Sequence, residues 1–128
     1  MMAVGGYCTE VLRLFAHPAH AGDLEATDGG VFRGEAAALD RTAWVALSAL
    51  GRDGRAIQVR WRAWGCPHLL AACELTASQL EGRPLEALAG FSLTELAERL
   101  EVPAEKLGRL LVIEDAQRAL AASASSSG

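Results

Sequence analysis

One stretch of the chain decides its fold: Arg60-Trp61-Arg62-Ala63-Trp64-Gly65-Cys66-Pro67-His68-Leu69-Leu70. Before the glycine, apolar and polar side chains alternate, which is typical of a strand with one buried face. From Pro67 the apolar spacing becomes helical, and proline is favoured at the first helical position. The turn between them places the thiol of Cys66 at a helix N-terminus, where backbone N–H groups and the helix dipole favour an anionic sulfur.

The composition is that of one globular domain. The chain has 128 residues, 51% of them hydrophobic and 22% charged, which suits a single hydrophobic core. The net charge is −4, and the local group of arginines is confined to one predicted hairpin. Because nucleic-acid binding needs a broader positive surface, we expect none. No apolar run approaches the roughly 18 residues of a membrane span, and no signal-peptide pattern is present. We therefore expect a cytoplasmic protein without membrane association.

The cysteines, Cys8, Cys66 and Cys73, do not suggest a disulfide framework, because their number is odd. No CxxC pair supports a zinc ribbon or a thioredoxin-type site. Cys73 lies on the apolar stripe of the predicted helix that begins at Pro67, so we expect it in the core. Nothing in the sequence indicates a hydrolase triad, a P-loop or a dinucleotide fingerprint, and we expect no enzyme.

The order of elements predicts an α+β fold. In chain order we predict a helix at 7–16, strands at 31–38, 42–50 and 56–64, and helices from 67 to before 82, from 92, and at 103–121. Strands followed by helices favour a three-stranded antiparallel sheet with helices packed on one face. Ile57 and Val59 are predicted on the buried face of the third strand, and Leu107 and Leu111 on the inner face of the last helix. Residues 1–122 form one predicted domain, and 123–128 a disordered tail.

Four short segments, in this order and at this spacing, resemble one known family. They are Phe15-Ala16-His17-Pro18-Ala19-His20-Ala21-Gly22, Gly34-Glu35-Ala36-Ala37-Ala38-Leu39-Asp40, Trp64-Gly65-Cys66-Pro67 and Val102-Pro103-Ala104-Glu105-Lys106-Leu107-Gly108-Arg109. They are similar, in turn, to the aromatic-x-Asn-Pro-x-Asn-x-Gly, Gly-Ala-Pro-Ala-Cys-Gly-Asp, aromatic-Gly-Cys-Gly and Leu-Pro-Pro-Val-Lys-x-His-Cys segments of the IscU/NifU N-terminal iron–sulfur cluster assembly scaffolds. The resemblance covers residues 7–121 and implies a SufE/NifU-like α+β sandwich.

The resemblance also implies a metal site, of which this chain retains only part. In the family, three cysteines, one aspartate and usually a histidine surround the cluster, and thiolates suit iron–sulfur clusters or zinc. Carried over by position, these ligands fall on Ala38, Asp40, Cys66, Gly108 and Arg109. A cluster usually takes four protein ligands, and Arg109 places a positive charge where a thiolate is expected. The resemblance thus implies a degenerate member, with Asp40 and Cys66 as candidate ligands for an iron–sulfur cluster, iron or zinc.

Each candidate ligand also has a plainer interpretation. Cys66 is a ligand, a reactive thiol or a buried cysteine, and Asp40 is a ligand or a residue of the turn after the first strand. His68, two residues after Cys66, is either a replacement metal ligand or a surface histidine. His17 and His20 are interpreted as loop residues around the end of the first helix.

Three functions follow from the resemblance. The first is iron–sulfur cluster assembly, with Asp40, Cys66 and His68 holding iron or a labile cluster. The second is an adaptor or regulator that binds a cysteine desulfurase without holding a cluster. The third is a sulfur acceptor that carries a persulfide on Cys66. The family's chaperone-recognition segment retains only Pro103 and Lys106, so the resemblance does not extend to a chaperone partner, and it leaves the oligomeric state open.

Overall fold

The computed structural model describes residues 9–16, 18–22, 24, 30–88, 93–104 and 107–127. Its elements, in chain order, are α1 (Thr9–Ala16), β1 (Val31–Ala37), β2 (Trp44–Arg52), β3 (Arg55–Trp64), α2 (Pro67–Leu80), a short 3-10 turn (Leu85–Ala87), α3 (Leu93–Arg99) and α4 (Leu107–Ser127). The predicted α+β class is confirmed. In the part of the chain that the structure describes, no helix combines the length and apolar character needed to cross a membrane.

The three strands form an antiparallel meander in the order β1-β2-β3. Ala37, Trp44 and Trp64 are paired side by side at one end of the sheet, so the β1–β2 loop and the turn after β3 meet there. α4 packs on β1 and β2, and α2 packs on β3. Val45 and Leu47 of β2 are buried under these helices. The predicted arrangement of helices on one face is therefore confirmed.

Gly34 lets the backbone of α4 lie directly on β1. A Cβ atom at this position would lie 2.6 Å from the carbonyl oxygen of Ala116 and closer still to the backbone nitrogen of Leu120. Real side chains do not pack at such distances, because protein interiors are already close-packed. The glycine that interrupts the predicted first strand is thus the point of closest contact between the sheet and α4.

The buried face of β3 departs from simple alternation near its start. The β2–β3 register shifts between Leu50 and Gly51, which is the signature of a β-bulge. Beyond that shift Ala56 is fully buried, whereas Ile57 is 38% exposed. Ile57 is the extra residue of this bulge and has no partner in β2, so its side chain leaves the buried face and the prediction that Ile57 is buried is wrong. Val59 lies on the buried face as predicted.

α4 also differs from its prediction, both in its inner face and in its end. Leu110 is buried, but Leu107 and Leu111 are 42% and 55% exposed, so their predicted burial is wrong. Leu111 is rotated by about 100° around the helix from Leu110, away from the stripe that faces the sheet. The helix also continues to Ser127, five residues into the predicted tail. Alanine has the highest helix propensity, and Ala124 is packed into the core.

Candidate functional site

The loop after β1 and the first turns of α4 line an open depression of about 510 Å³ on the surface. Four of the five positions that the resemblance carries over line it: Ala38, Asp40, Gly108 and Arg109. They converge because the loop leaves the sheet at the end over which α4 begins. The structure therefore brings together residues that lie about 70 positions apart in the chain, although only Asp40 among them is a metal-ligand residue.

The carboxylate of Asp40 organises the turn after β1. Its Oδ1 accepts hydrogen bonds from the hydroxyl of Thr42 at 2.6 Å and from the backbone N–H of Thr42 at 3.1 Å. The hydroxyl first, then the N–H and the positive charge of Arg109, hold the pKa of Asp40 below its ordinary value. Asp40 is exposed and ionised, so it has the turn role of its plainer interpretation and can also meet a cation from solvent.

Cys66 lies at the same end of the sheet but outside the depression. It is half-buried and is the N-cap of α2, with an extended backbone, and it forms no disulfide. The depression is lined by other residues. The strands that lead to Asp40 and to Cys66, β1 and β3, are separated by β2, or about 10 Å across the sheet. Asp40 and Cys66, the candidate ligands that the resemblance implies, therefore lie at the same end of the sheet, but only Asp40 lines the depression.

His68 is buried in the first turn of α2. Its exposed fraction is 1%, so the interpretation as a surface histidine is wrong. The apolar packing of α2 extends around most of that helix and includes this position. Cys73 is fully buried, which confirms its prediction as a core residue. Burial, and secondarily the charge of Glu74, raise the pKa of the Cys73 thiol, so it stays protonated. His17 lies outside the described residues.

The side chains of the described residues do not complete a metal site by themselves. Among those residues no group of three His, Cys, Asp or Glu side chains is placed to hold a metal ion. Zinc and iron–sulfur clusters usually take four ligands. The charge of Arg109 acts on Asp40 and opposes the approach of a cation there. The described residues alone therefore do not fit a bound metal ion.

A buried carboxylate that the sequence does not predict, Glu74, connects α2 to the segment after α1. Its Oε1 accepts hydrogen bonds from the backbone N–H of His20 at 2.7 Å and from Nε1 of Trp61 at 3.1 Å. Its Oε2 lies 2.5 Å from Nδ1 of His20. Glu74 is only 4% exposed, and a carboxylate is stable at such a position only when it is well hydrogen-bonded. The only sequence signal is an acidic residue between Cys73 and Leu75, on a helix that is otherwise mostly apolar.

Glu81 contacts the other ring nitrogen of His20. Its Oε1 lies 3.3 Å from Nε2 of His20, and its Oε2 accepts hydrogen bonds from the N–H of Val59 at 2.9 Å and from Arg60 at 3.1 Å. The backbone at His20 also pairs with Trp61 along the free edge of β3. This protects an edge that is otherwise open to another strand. His20, interpreted from the sequence as a loop residue, therefore anchors its loop to the sheet.

The Glu81 contacts predict a pH-dependent contribution to stability. Partial burial raises the pKa of Glu81, but the Val59 N–H, the charge of His20 and hydrogen bonds from His20 and Arg60 together lower it below 4.5. A lowered pKa stabilises the folded state above pH 4.5, and this stabilisation is lost as the pH falls through the folded-state pKa. We expect Glu81→Gln to lower the free energy of unfolding by about 1 kcal/mol at pH 7 and by less near pH 3, measured by urea denaturation. An equal loss at both pH values would contradict this assignment.

Comparisons with known proteins agree with this architecture. The sequence profile described as "NifU-like N terminal domain" matches residues 6–125. The chain is 26% identical over 114 residues to the iron–sulfur cluster assembly scaffold protein IscU of Haemophilus influenzae, covering 88% of this chain and 90% of that protein. IscU of Escherichia coli K12 is also 26% identical over 114 residues, with 88% and 89% covered.

Solved structures show the same fold. The putative iron–sulfur cluster assembly scaffold protein for the SUF system from Fervidobacterium islandicum AW-1 superposes with a TM-score of 0.69 at 14% identity, covering 90% of this chain and 96% of that one. The N-terminal part of a NifU-like protein from Brucella abortus superposes with a TM-score of 0.55 at 17% identity, with 91% and 83% covered. Since the profile spans nearly the whole chain, this protein belongs to the NifU-like N-terminal domain family.

Proposed function

We propose that this chain takes part in iron–sulfur cluster assembly as a scaffold-type protein with an altered site, to which it contributes Asp40 and Cys66. The observation that carries the proposal is the convergence of Ala38, Asp40, Gly108 and Arg109 on one depression. Relatives that match 88% and 90% of this chain are named as iron–sulfur cluster assembly scaffold proteins. Both observations support a site at this depression in which some of the ligands implied by the resemblance are replaced. The proposed setting is the cytoplasm, and the role is one of carrying rather than catalysis.

The retained donors, one carboxylate and one thiol, leave any iron or cluster short of ligands. In this proposal the ligands that the described residues do not supply come from a small thiol, a second copy or a partner protein. Arg109 suits an arrangement in which negatively charged ligands arrive together with the iron, because a guanidinium favours anionic groups. The proposed cargo is therefore held weakly and is shared with whatever supplies the missing ligands. His68, being buried, is a ligand only if its part of α2 opens.

Two other functions are each favoured by a specific observation. The absence of any three-ligand group among the described residues favours an adaptor that binds a cysteine desulfurase without a cluster. The free, half-buried thiol of Cys66 at the start of α2 favours a persulfide acceptor. In that reaction the Cys66 thiolate attacks the outer sulfur of a desulfurase persulfide, the S–S bond breaks, and the desulfurase leaves as a thiolate.

Anaerobic reconstitution with iron and sulfide tests the proposal through the visible spectrum and through iron and sulfide analysis. We expect wild type to take up both only when a small thiol such as glutathione is added, and Cys66→Ser to take up much less. Restoring the family ligands by Ala38→Cys, Gly108→His and Arg109→Cys is expected to give cluster uptake without added thiol, because four or more ligands then surround one depression.

A control variant carries two new cysteines outside the depression, at Ala104 and Arg118. Equal uptake by this control and by the restored variant would contradict the assignment of the depression as the site. If wild type takes up no iron even with added thiol, the scaffold function is wrong. Mass spectrometry after incubation with a desulfurase and cysteine then separates the remaining functions: a persulfide on Cys66 supports the acceptor, and stable complex formation without modification supports the adaptor.

A further inference from the structure

A second open groove, of about 480 Å³, lies between α3 and α4. Val102, Leu107, Leu110 and Leu111 give it an apolar lining. Leu111 also lines the depression that contains Asp40, so the two concave surfaces are continuous at this residue. The groove therefore adjoins the depression at Leu111.

The groove leaves two leucines of α4 in contact with water. Leu107 and Leu111 are 42% and 55% exposed and lie one helical turn apart, on the same side of α4. Single exposed apolar side chains are ordinary, but adjacent ones beside an apolar groove indicate a binding surface. The apolar pattern of α4 is thus divided between a stripe that packs on the sheet and a pair that faces outward.

The rim of the groove is acidic, and one of its carboxylates lies at a position that is unfavourable for stability. Glu101 has φ of +52°, directly after α3. The amide of Val102 donates to the carbonyl of Ala97 at 3.0 Å, and that of Glu101 to Glu98 at 3.1 Å, which together form a Schellman motif. Glycine is the usual residue at this left-handed position, because other side chains are strained there.

The helix dipole also disfavours acidic side chains at the end of α3. Negative charge is destabilising near a helix C-terminus, and Glu98 and Glu101 both lie there. Both line the groove, and neither forms an ion pair with another described residue. Carboxylates at positions where they cost stability point to an interaction outside the folded chain.

We propose that the groove between α3 and α4 binds a basic amphipathic helix of a partner protein. Its apolar residues, spaced at i, i+3, i+4 and i+7, lie in the groove against Leu107 and Leu111, and its lysines or arginines face Glu98 and Glu101. The net charge of −4 makes a second copy of this chain a poorer occupant, because like-charged molecules repel each other. This inference does not depend on metal binding, since its anchor residues are not metal ligands.

A designed peptide tests the proposal on the full chain. The probe has about 14 residues of leucine, lysine and alanine, with leucine at helical spacing, and its control has glutamate in place of every lysine. We expect the lysine peptide to bind, with changes in amide NMR shifts concentrated at 94–102 and 107–111, and the glutamate peptide not to bind. Leu111→Ser is expected to weaken binding about ten-fold and Glu98→Gln about three-fold, whereas the matched change Glu95→Gln leaves the affinity within about two-fold.

Glu101→Gly separates binding from stability. Because glycine relieves the backbone strain after α3, we expect this variant to raise Tm by about 2–4 °C while weakening peptide binding about three-fold. Loss of affinity therefore cannot arise from a damaged fold. Equal binding of both peptides, shift changes elsewhere on the molecule, or unchanged affinity in the Leu111 and Glu101 variants would overturn the proposal. Sedimentation showing a dimer that Leu111→Ser converts to a monomer would assign the groove to a second copy and overturn it as well.

Discussion

Replacing Gly34 by alanine is expected to lower the free energy of unfolding by about 3 kcal/mol or more, or to prevent folding. The added Cβ atom would lie within 2.6 Å of the carbonyl oxygen of Ala116. The atoms it meets belong to the backbone of α4, and a backbone segment inside a hydrogen-bonded helix cannot move aside as a flexible side chain can. The whole of α4 would have to separate from β1, which exposes apolar surface on both. Urea denaturation followed by tryptophan fluorescence and circular dichroism measures the loss.

Gly108→Ala is the matched control for Gly34. Apart from its chain neighbours and the nearby backbone of α4 itself, no described residue lies within 4 Å of a Cβ atom at this position, and Gly108 is in the first turn of α4. Alanine has a higher helix propensity than glycine, so we expect this variant to be up to about 1 kcal/mol more stable than wild type. If Gly34→Ala were as stable as wild type, the close backbone contact between α4 and β1 at Gly34 would be contradicted.

Glu74→Ala is expected to cost about 3 kcal/mol, the second of the large effects. Truncation removes the acceptor of the His20 backbone N–H and of the Trp61 indole N–H, and it leaves the His20 ring beside an empty space. Buried donors without acceptors are costly because they have given up their hydrogen bonds to water. The same urea denaturation measures the loss, and the indole N–H resonance of Trp61 is expected to shift because its acceptor is gone.

Two other variants serve as comparisons for Glu74→Ala. Glu74→Gln keeps one acceptor oxygen and the shape of the side chain, so we expect a smaller cost of about 1–2 kcal/mol. Glu114→Ala removes a carboxylate on the surface of α4 that pairs with Arg118. Exposed pairs contribute little, and we expect a change below about 0.5 kcal/mol. If Glu74→Ala cost no more than Glu114→Ala, the carboxylate of Glu74 would not be the acceptor that joins α2 to His20 and Trp61.

Much of the fold follows from local patterns along the chain. The alternation before Trp64 and the proline at residue 67 predict β3 and the start of α2, and both are confirmed. These signals are strong because strand and helix periods differ, and because the proline ring is favoured at the first turn of a helix. Four motifs in order also identify the family, which the profile match confirms.

The candidate site could be predicted only in part from the sequence. Position by position, the resemblance identifies Asp40 and Cys66 as the remaining ligand types, and this depends only on residue identity. It does not show that Asp40 shares a depression with Arg109 while Cys66 lies outside it. That separation is set by the strand order and by where α4 crosses the sheet. Likewise, the burial of His68 depends on how far the apolar packing of α2 extends around the helix.

The sequence by itself determined the class of the fold, the strand–turn–helix stretch at its centre and the family. The sequence also predicted the burial of Val59 and Cys73, but only the tertiary structure decided the orientation of several other side chains. A β-bulge exposes Ile57, and Leu111 is exposed because it lies on the side of α4 that faces away from the sheet. Glu74 can be buried because His20 and Trp61, from two other segments, donate hydrogen bonds to it. The physical reason is that periodicity is a property of neighbouring residues, whereas burial and charge pairing depend on segments that are distant in sequence. Gly34 is a further example. The sequence shows only that a glycine interrupts the pattern of β1, whereas the structure shows that the absence of a side chain there lets the backbone of α4 lie against the strand.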